Sequence, residues 1–147
     1  MRILIDADGC PVVDIAVKVA KRKNIECIIL CDTSHAINKE GVQTITVDKG
    51  NDSVDFVLVN LVKPKDIVIT QDYGLAAMCL AMRALPMNQD GLVYTDHNIE
   101  QLLFSRHIGQ KVRMAGGRTK GPSKRTHKQD ADFEVVLINL IENEERG

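Results

Sequence analysis

A chain of 147 residues, 44% hydrophobic and 27% charged, suits one domain with an apolar core. Aromatic residues make up 3% and Trp is absent, which argues against a stacking platform for single-stranded bases. No apolar run approaches the ~20 residues of a membrane span, and Met1-Arg2 leads into a strand pattern rather than a secretory leader, so the expected location is cytoplasmic with no membrane partner.

Arg2 to Ile5 reads as a first strand ending in Asp6-Ala7-Asp8-Gly9-Cys10-Pro11. Two carboxylates one residue apart at a strand's C-terminal end stand where open α/β sheets place their ligands. They cannot both sit ionised there unless a cation or positive partner offsets them. The blander reading is a strand-to-helix turn with Asp8 near the N-cap and Pro11 at the first helical position. Apolar positions then recur at helical spacing to about Lys23, and Asn24 closes the helix.

Glu26 to Cys31 is a continuous apolar strand, as a sheet buried on both faces requires. Asp32-Thr33-Ser34-His35 follows as a polar loop, with Ser34 and His35 as accessory candidates, His35 for proton transfer. Thr44 to Val47 is a short third strand. Asn51 or Asp52 caps a helix carrying Val54, Val57, Leu58, Leu61 and Val62, which Pro64 ends. Ile67 to Thr70 is strand four, Gln71 to Gly74 its exit loop, and a helix spans about Leu75 to Arg83. Leu85 to Met87 and Leu92 to Thr95 read as hairpin strands around Asn88-Gln89-Asp90-Gly91. Asp96 or Asn98 caps a helix from Ile99 to about His107. From about 112 to 128 the apolar signal gives way to a Gly-rich, basic loop, mobile when free. A last helix spans about 130 to 142.

Strands alternating with helices predict a single-domain, three-layer α/β/α fold with a mainly parallel sheet. Right-handed crossovers then bring the exits of strands one and four to one rim. That rim gathers Asp6 and Asp8, Asp52 and Asp55, and Asp72. Asp52 and Asp55 are three residues apart in a helix's first turn and share a face. Each acid has a plainer role open to it: Asp52 and Asp72 as helix caps, Asp55 as a solvated surface group. Together they make an oxygen-rich cluster suited to Mg²⁺ or Mn²⁺.

The net charge of −1 hides an asymmetry. No acid lies between Glu100 and Asp130, an interval holding eight of the 19 Lys and Arg: Arg106, Lys111, Arg113, Arg118, Lys120, Lys124, Arg125 and Lys128. A basic segment beside an acidic site suggests a polyanionic partner whose phosphates the segment holds. Arg113, Arg118, Lys120, Lys124, Arg125 and Lys128 are the candidate nucleic-acid contacts. Cys10, Cys27, Cys31 and Cys79 form no C-x-x-C pair, so neither a disulfide framework nor a zinc site is expected. Cys10 beside two carboxylates is a poor nucleophile.

Three segments carry a resemblance: Asp-Ala-Asp-Gly-Cys-Pro at 6–11, Thr-Gln-Asp-Tyr-Gly-Leu-Ala at 70–76 and Gly-Gly-Arg-Thr-Lys-Gly-Pro at 116–122. In that order, over nearly the whole chain, they resemble the bacterial YaiI/YqxD family, which is grouped with PIN-like (PIN/NYN) nucleases. Lys49-Gly50-Asn51-Asp52 resembles the Lys-Gly-x-Asp helix start of NYN nucleases, and Asp72 matches the Asp ending their Ser-Gly-Asp strand. The chain departs from the family pattern with Tyr73-Gly74 for Ile-Pro and with Gly9 for Ala. The resemblance implies a PIN-like fold in which Asp6, Asp52 and Asp72 bind metal, with Asp8 or Asp55 in support. It implies metal-assisted phosphodiester hydrolysis, with RNA as the first choice of substrate.

Two other readings stay open. Ile-Leu-Ile-Asp-Ala-Asp-Gly is also similar to the opening of haloacid-dehalogenase-type phosphatases, with Asp6 as nucleophile, Asp8 as acid and Lys63 or Lys65 as the required lysine. A PIN-like module that binds RNA or protein without chemistry is the other. The sequence leaves the oligomeric state open, a homodimer included.

Overall fold

In the computed structural model, which describes residues 1–33, 37–48, 53–116 and 124–147, five strands pair in parallel in the order β3-β2-β1-β4-β5. They are β1 (Arg2–Asp6), β2 (Glu26–Asp32), β3 (Gln43–Val47), β4 (Ile67–Ile69) and β5 (Leu85–Met87). The helices are α1 (Val13–Lys23), α2 (Val54–Leu61), α3 (Tyr73–Ala81), α4 (Ile99–Met114) and α5 (His127–Arg146).

β1 takes the centre because Ile3, Leu4 and Ile5 have apolar surface to bury on both faces, and all three are fully buried. The pleat sends Ile3 and Ile5 to one side, where Val12, Ala16, Val19 and Ala20 meet Phe133, Leu137 and Ile141 of α5. Leu4 goes to the other side, against Leu58 of α2 and Leu75 and Cys79 of α3. The result is three layers, α1 and α5 below the sheet, α2 and α3 above it.

The strand order carries the main consequence for a site. The chain lays β2 and β3 to one side of β1, then crosses over to lay β4 and β5 on the other. The connections leaving β1 and β4 therefore diverge, and a crevice opens at their C-terminal ends. Ile5 pairs with Ile69, which sets Asp6 beside Thr70 at the mouth of that crevice.

Several boundaries differ from the sequence reading. The N-cap of α2 is Ser53, whose hydroxyl accepts from Phe56 N at 3.1 Å, rather than Asn51 or Asp52. α3 begins at Tyr73, two residues early, because Asp72 caps it. The hairpin is reduced: β5 joins the sheet in parallel, with Pro86 on the edge strand, and its partner shrinks to one antiparallel bridge, Met87 to Val93. The Asn98 side chain does not cap α4; it accepts from Thr95 N and donates to Val93 O. α4 runs on to Met114, and α5 opens at His127 with a capping box between Thr126 and Gln129. Of the loop expected over about 112–128, residues 112–114 belong to α4 and 127–128 to α5, and 117–123 lie outside the described residues. The extension of α4 beyond His107 is not legible in sequence because the helix buries only Ile99, so its second half has no apolar stripe facing a core.

Candidate active site at the divergence of β1 and β4

Asp6 ends β1 and accepts a hydrogen bond from the Thr70 hydroxyl, Thr70 Oγ1 to Asp6 Oδ2, at 2.8 Å. The same Oγ1 accepts from Asp72 N at 3.0 Å. Thr70 is buried, and its carbonyl accepts from the Tyr94 hydroxyl at 3.1 Å. One side chain thus fixes both the Asp6 carboxylate and the backbone that starts α3. Asp72 Oδ1 accepts from Gly74 N at 2.8 Å and Leu75 N at 3.2 Å, an N-cap that locks its orientation.

Asp55, in the first turn of α2, faces Asp72 from above the sheet. The two carboxyls share a hydrogen bond that favours the protonated form of Asp55. Burial first, then the negative charges of Asp72 and Asp6, push Asp55 up to about 6, against a partial offset from Arg106. Asp6 is also raised, chiefly by burial, with the Thr70 hydrogen bond opposing and Asp8 and Asp72 adding repulsion. On the β2 side, Asp8 Oδ1 accepts from Asp32 N at 3.3 Å. Gly9, at φ +70°, turns the chain here and offers its carbonyl to Gln71 Nε2 at 3.0 Å.

These groups line one cleft of about 620 Å³, which takes in Asp6, Asp8, Asp32, Asp55, Asp72 and, as its one cation among the described residues, Arg106. Arg106 Nη1 lies 3.6 Å from Asp72 Oδ1. Among the described residues no three acidic, His or Cys side chains stand close enough to cage a metal ion unaided. The contacts come in pairs: Asp6 with Asp72 through Thr70, and Asp55 with Asp72 directly. That pattern fits Mg²⁺, which keeps several waters and takes one or two carboxylates together with substrate phosphate. The donors are all hard oxygens, as Mg²⁺ and Mn²⁺ prefer.

Of the acids expected from sequence, Asp6, Asp8, Asp55 and Asp72 meet in this cleft. Asp52 lies outside the described residues, as do Ser34, His35, Arg118 and Lys120. Asp32, Thr70 and Arg106 are additions. Asp32 ends β2 just as Asp6 ends β1, a signal visible in the sequence. Arg106 gave no such sign, since only the docking of α4 on α3 brings it here.

The basic candidates separate. Arg125 is corrected from phosphate contact to structural clamp: its guanidinium donates to Asp130 Oδ1, Asp90 Oδ1 and Gln89 O, each at 2.6 Å, tying α5 to the turn after β5. Lys128 pairs with Asp132 one turn along α5 at 2.9 Å. Lys124 is exposed, and Arg113 stands exposed in the last turn of α4, where a cation suits the helix dipole. The phosphatase reading loses its lysine. Lys63 and Lys65 precede β4 beside Asp66, at the sheet edge opposite Asp6.

A family model described as "Uncharacterized BCR, YaiI/YqxD family" matches residues 4–143. Similar relatives carry the name UPF0178 protein. One from Exiguobacterium sibiricum is 53% identical over 141 residues, 96% of this chain and 96% of its own. One from Ruminiclostridium cellulolyticum is 52% identical over 147 residues, 100% of this chain and 96% of its own. One from Clostridium acetobutylicum is 43% identical over 143 residues, 96% of this chain and 97% of its own. Among solved structures, a mutant of Rae1 (YacP) from Bacillus subtilis is similar at a TM-score of 0.48 and 14% identity, covering 97% of this chain and 99% of that one.

Proposed function

The chain belongs to the YaiI/YqxD family, and from that premise we propose that it is a divalent-metal-dependent phosphodiester hydrolase of PIN-like type, a cytoplasmic nuclease acting on RNA. The observation that carries this reading is the meeting of five aspartates from separate strand ends and one helix in a cleft with one arginine. Structural acids are paired with cations or left in water. Carboxylates gathered on one half-buried rim, two of them pushed toward their protonated forms, favour a further positive charge.

Asp6 and Asp72 are the principal metal ligands, with Asp55 and Asp52 in support and Asp8 on the β2 side. These residues would hold Mg²⁺ or Mn²⁺, which would supply positive charge against the scissile phosphate and help activate the attacking water. The chain's own work is to hold oxygens in place. Thr70 holds Asp6 by its Oδ2, and two backbone N–H groups hold Asp72 by its Oδ1, which fixes both carboxylates at the rim. Asp55 would have to give up its proton to bind a cation, which would link proton release to metal uptake. Lys124 and Arg113, with Arg118 and Lys120, extend the substrate contact along the phosphate backbone. The choice of RNA rests on the resemblance to PIN-like nucleases.

The test is a cleavage screen with Mn²⁺ and Mg²⁺ on RNA, comparing the unaltered protein with Asp6→Asn and Asp72→Asn. Asn caps helices as well as Asp does, and it can still accept from Thr70, so both variants fold. Each should lose at least the ~100-fold that removing a mere outer-shell partner costs. Equal cleavage by all three defeats the proposal. So does calorimetry that finds no Mn²⁺ binding, the result expected of a module that only binds.

A further inference from the structure

We propose that Arg106 is the residue that grips the scissile phosphate, taking its non-bridging oxygens while the carboxylates hold the metal on the other side; the inference rests on the hydrolase reading above. Arg106 sits mid-helix in α4, so the helix dipole that accounts for Lys111 and Arg113 in the last turn does not account for it. Nor does it stabilise the fold to any extent. Its side chain is 50% exposed, and its 3.6 Å approach to Asp72 is too long for a charge-assisted hydrogen bond. Exposed ion pairs of that kind add little to stability.

Asp72 Oδ1, the atom Arg106 approaches, is already satisfied by Gly74 N and Leu75 N. The guanidinium therefore leans over a carboxylate that does not need it, and its planar fork is left to serve another acceptor. A phosphodiester offers two non-bridging oxygens spaced for that fork.

The position follows from how α4 is held. Ile99, Leu102 and Leu103 seat its first half against Ala76 and Tyr94, and Arg106 comes next on that same face, at the rim of the cleft. Beyond that turn Ile108, Val112 and Met114 are exposed. α4 thus delivers one cation to a cleft of five acids. Any anionic substrate has to pass those acids to reach a metal, and Arg106 is the described group placed to attract it.

The experiment has two readouts. The first is fluorescence anisotropy on a labelled single-stranded RNA of about 12 nucleotides, with Ca²⁺ in place of Mg²⁺, across salt from about 50 to 200 mM. The second is cleavage with Mn²⁺, resolved into kcat and KM. Arg106→Ala should reduce the slope of log affinity against log salt by about 0.7, the value for one phosphate contact on a single strand. It should also reduce kcat by about 100-fold, as loss of a transition-state donor does. Arg106→Lys should keep the slope and still lose kcat, because an ammonium carries the charge without the fork.

An unchanged slope and unchanged kcat in Arg106→Ala overturn the inference and leave the hydrolase standing. A raised KM with kcat intact moves Arg106 to a flanking phosphate and also overturns it. If the unaltered protein cleaves nothing, the hydrolase reading fails by itself, and an unchanged salt slope then sinks the phosphate contact as well.

Discussion

The two rims of the sheet treat charge in opposite ways. At the N-terminal rim Asp66 is 2% exposed, and its oxygens are filled by Arg2 Nη2 at 2.7 Å, Arg2 Nε at 3.2 Å, Arg2 N at 3.1 Å and Lys63 N at 2.9 Å. The guanidinium spends a remaining donor on Leu61 O at 2.8 Å. At the C-terminal rim five aspartates line one cleft, where Arg106 stands 3.6 Å from Asp72 Oδ1, and two of them, Asp6 and Asp55, are pushed toward neutrality. The same small sheet supplies both arrangements. The same sheet can bury an acid with its full set of donors, so the gathering of carboxylates at the second rim marks that rim as the candidate functional site.

The comparison breaks most visibly at the first rim. Arg2→Ala leaves Asp66 buried with two backbone donors in place of a full partner set, and removing one member of a buried pair costs about 3–5 kcal/mol. Urea denaturation should register that loss, while Mn²⁺ binding at the far rim stays as it was. A loss below ~1 kcal/mol would mean the pair is not the anchor described here. The second rim answers differently to its own neutral link. Thr70→Val removes a buried hydroxyl and orphans Asp72 N, a cost of about 1–3 kcal/mol, and frees Asp6 to turn. Stability and Mn²⁺ affinity should fall together in that variant, where Arg2→Ala separates them.

How much of this was legible depended on whether a residue's role is set locally. A short, β-branched apolar run such as Ile3-Leu4-Ile5, closed by Gly9 and Pro11, reads as a buried strand, and a carboxylate straight after it falls at the rim. Asn24, in the left-handed region at φ 56°, closes α1 as its sequence position predicts. Asp72 was legible as both helix cap and site acid, and it is placed for both. Asp32 obeys the same strand-end rule, although the Thr33-Ser34-His35 that follows it makes it read as part of a polar loop. Arg106 and Arg125 were not separable in sequence, since both lie in one acid-free interval. Partners 34 and 35 residues away, Asp72 and Asp90, send one to the cleft and the other into a clamp. The second half of α4 hid for a related reason: a helix with no core to face leaves no apolar period to read.

The smallest expected effect is the one that sharpens the contrast between the rims. If the C-terminal acids are a strained set awaiting a cation, removing a charge there should stabilise the metal-free protein. Asp55 is the group to change, because Asn can donate to Asp72 as the protonated acid does. The folded state raises Asp55 to about 6, so between the ordinary carboxylate range and that value it holds more protons than the unfolded chain. Its contribution to stability is therefore lost as pH rises through that window. A shift of about two units is worth ~3 kcal/mol in full burial; for this partly exposed group solvent screening leaves on the order of 1 kcal/mol. Asp55→Asn should then melt higher than the unaltered protein at pH 7 without metal, and the gap should close as pH falls below the carboxylate range. Added Mn²⁺ should reverse the order, because it binds and stabilises the intact acid set more strongly. A variant that melts lower at pH 7 in the absence of metal would show that the second rim is as settled as the first, and the contrast between them would be gone.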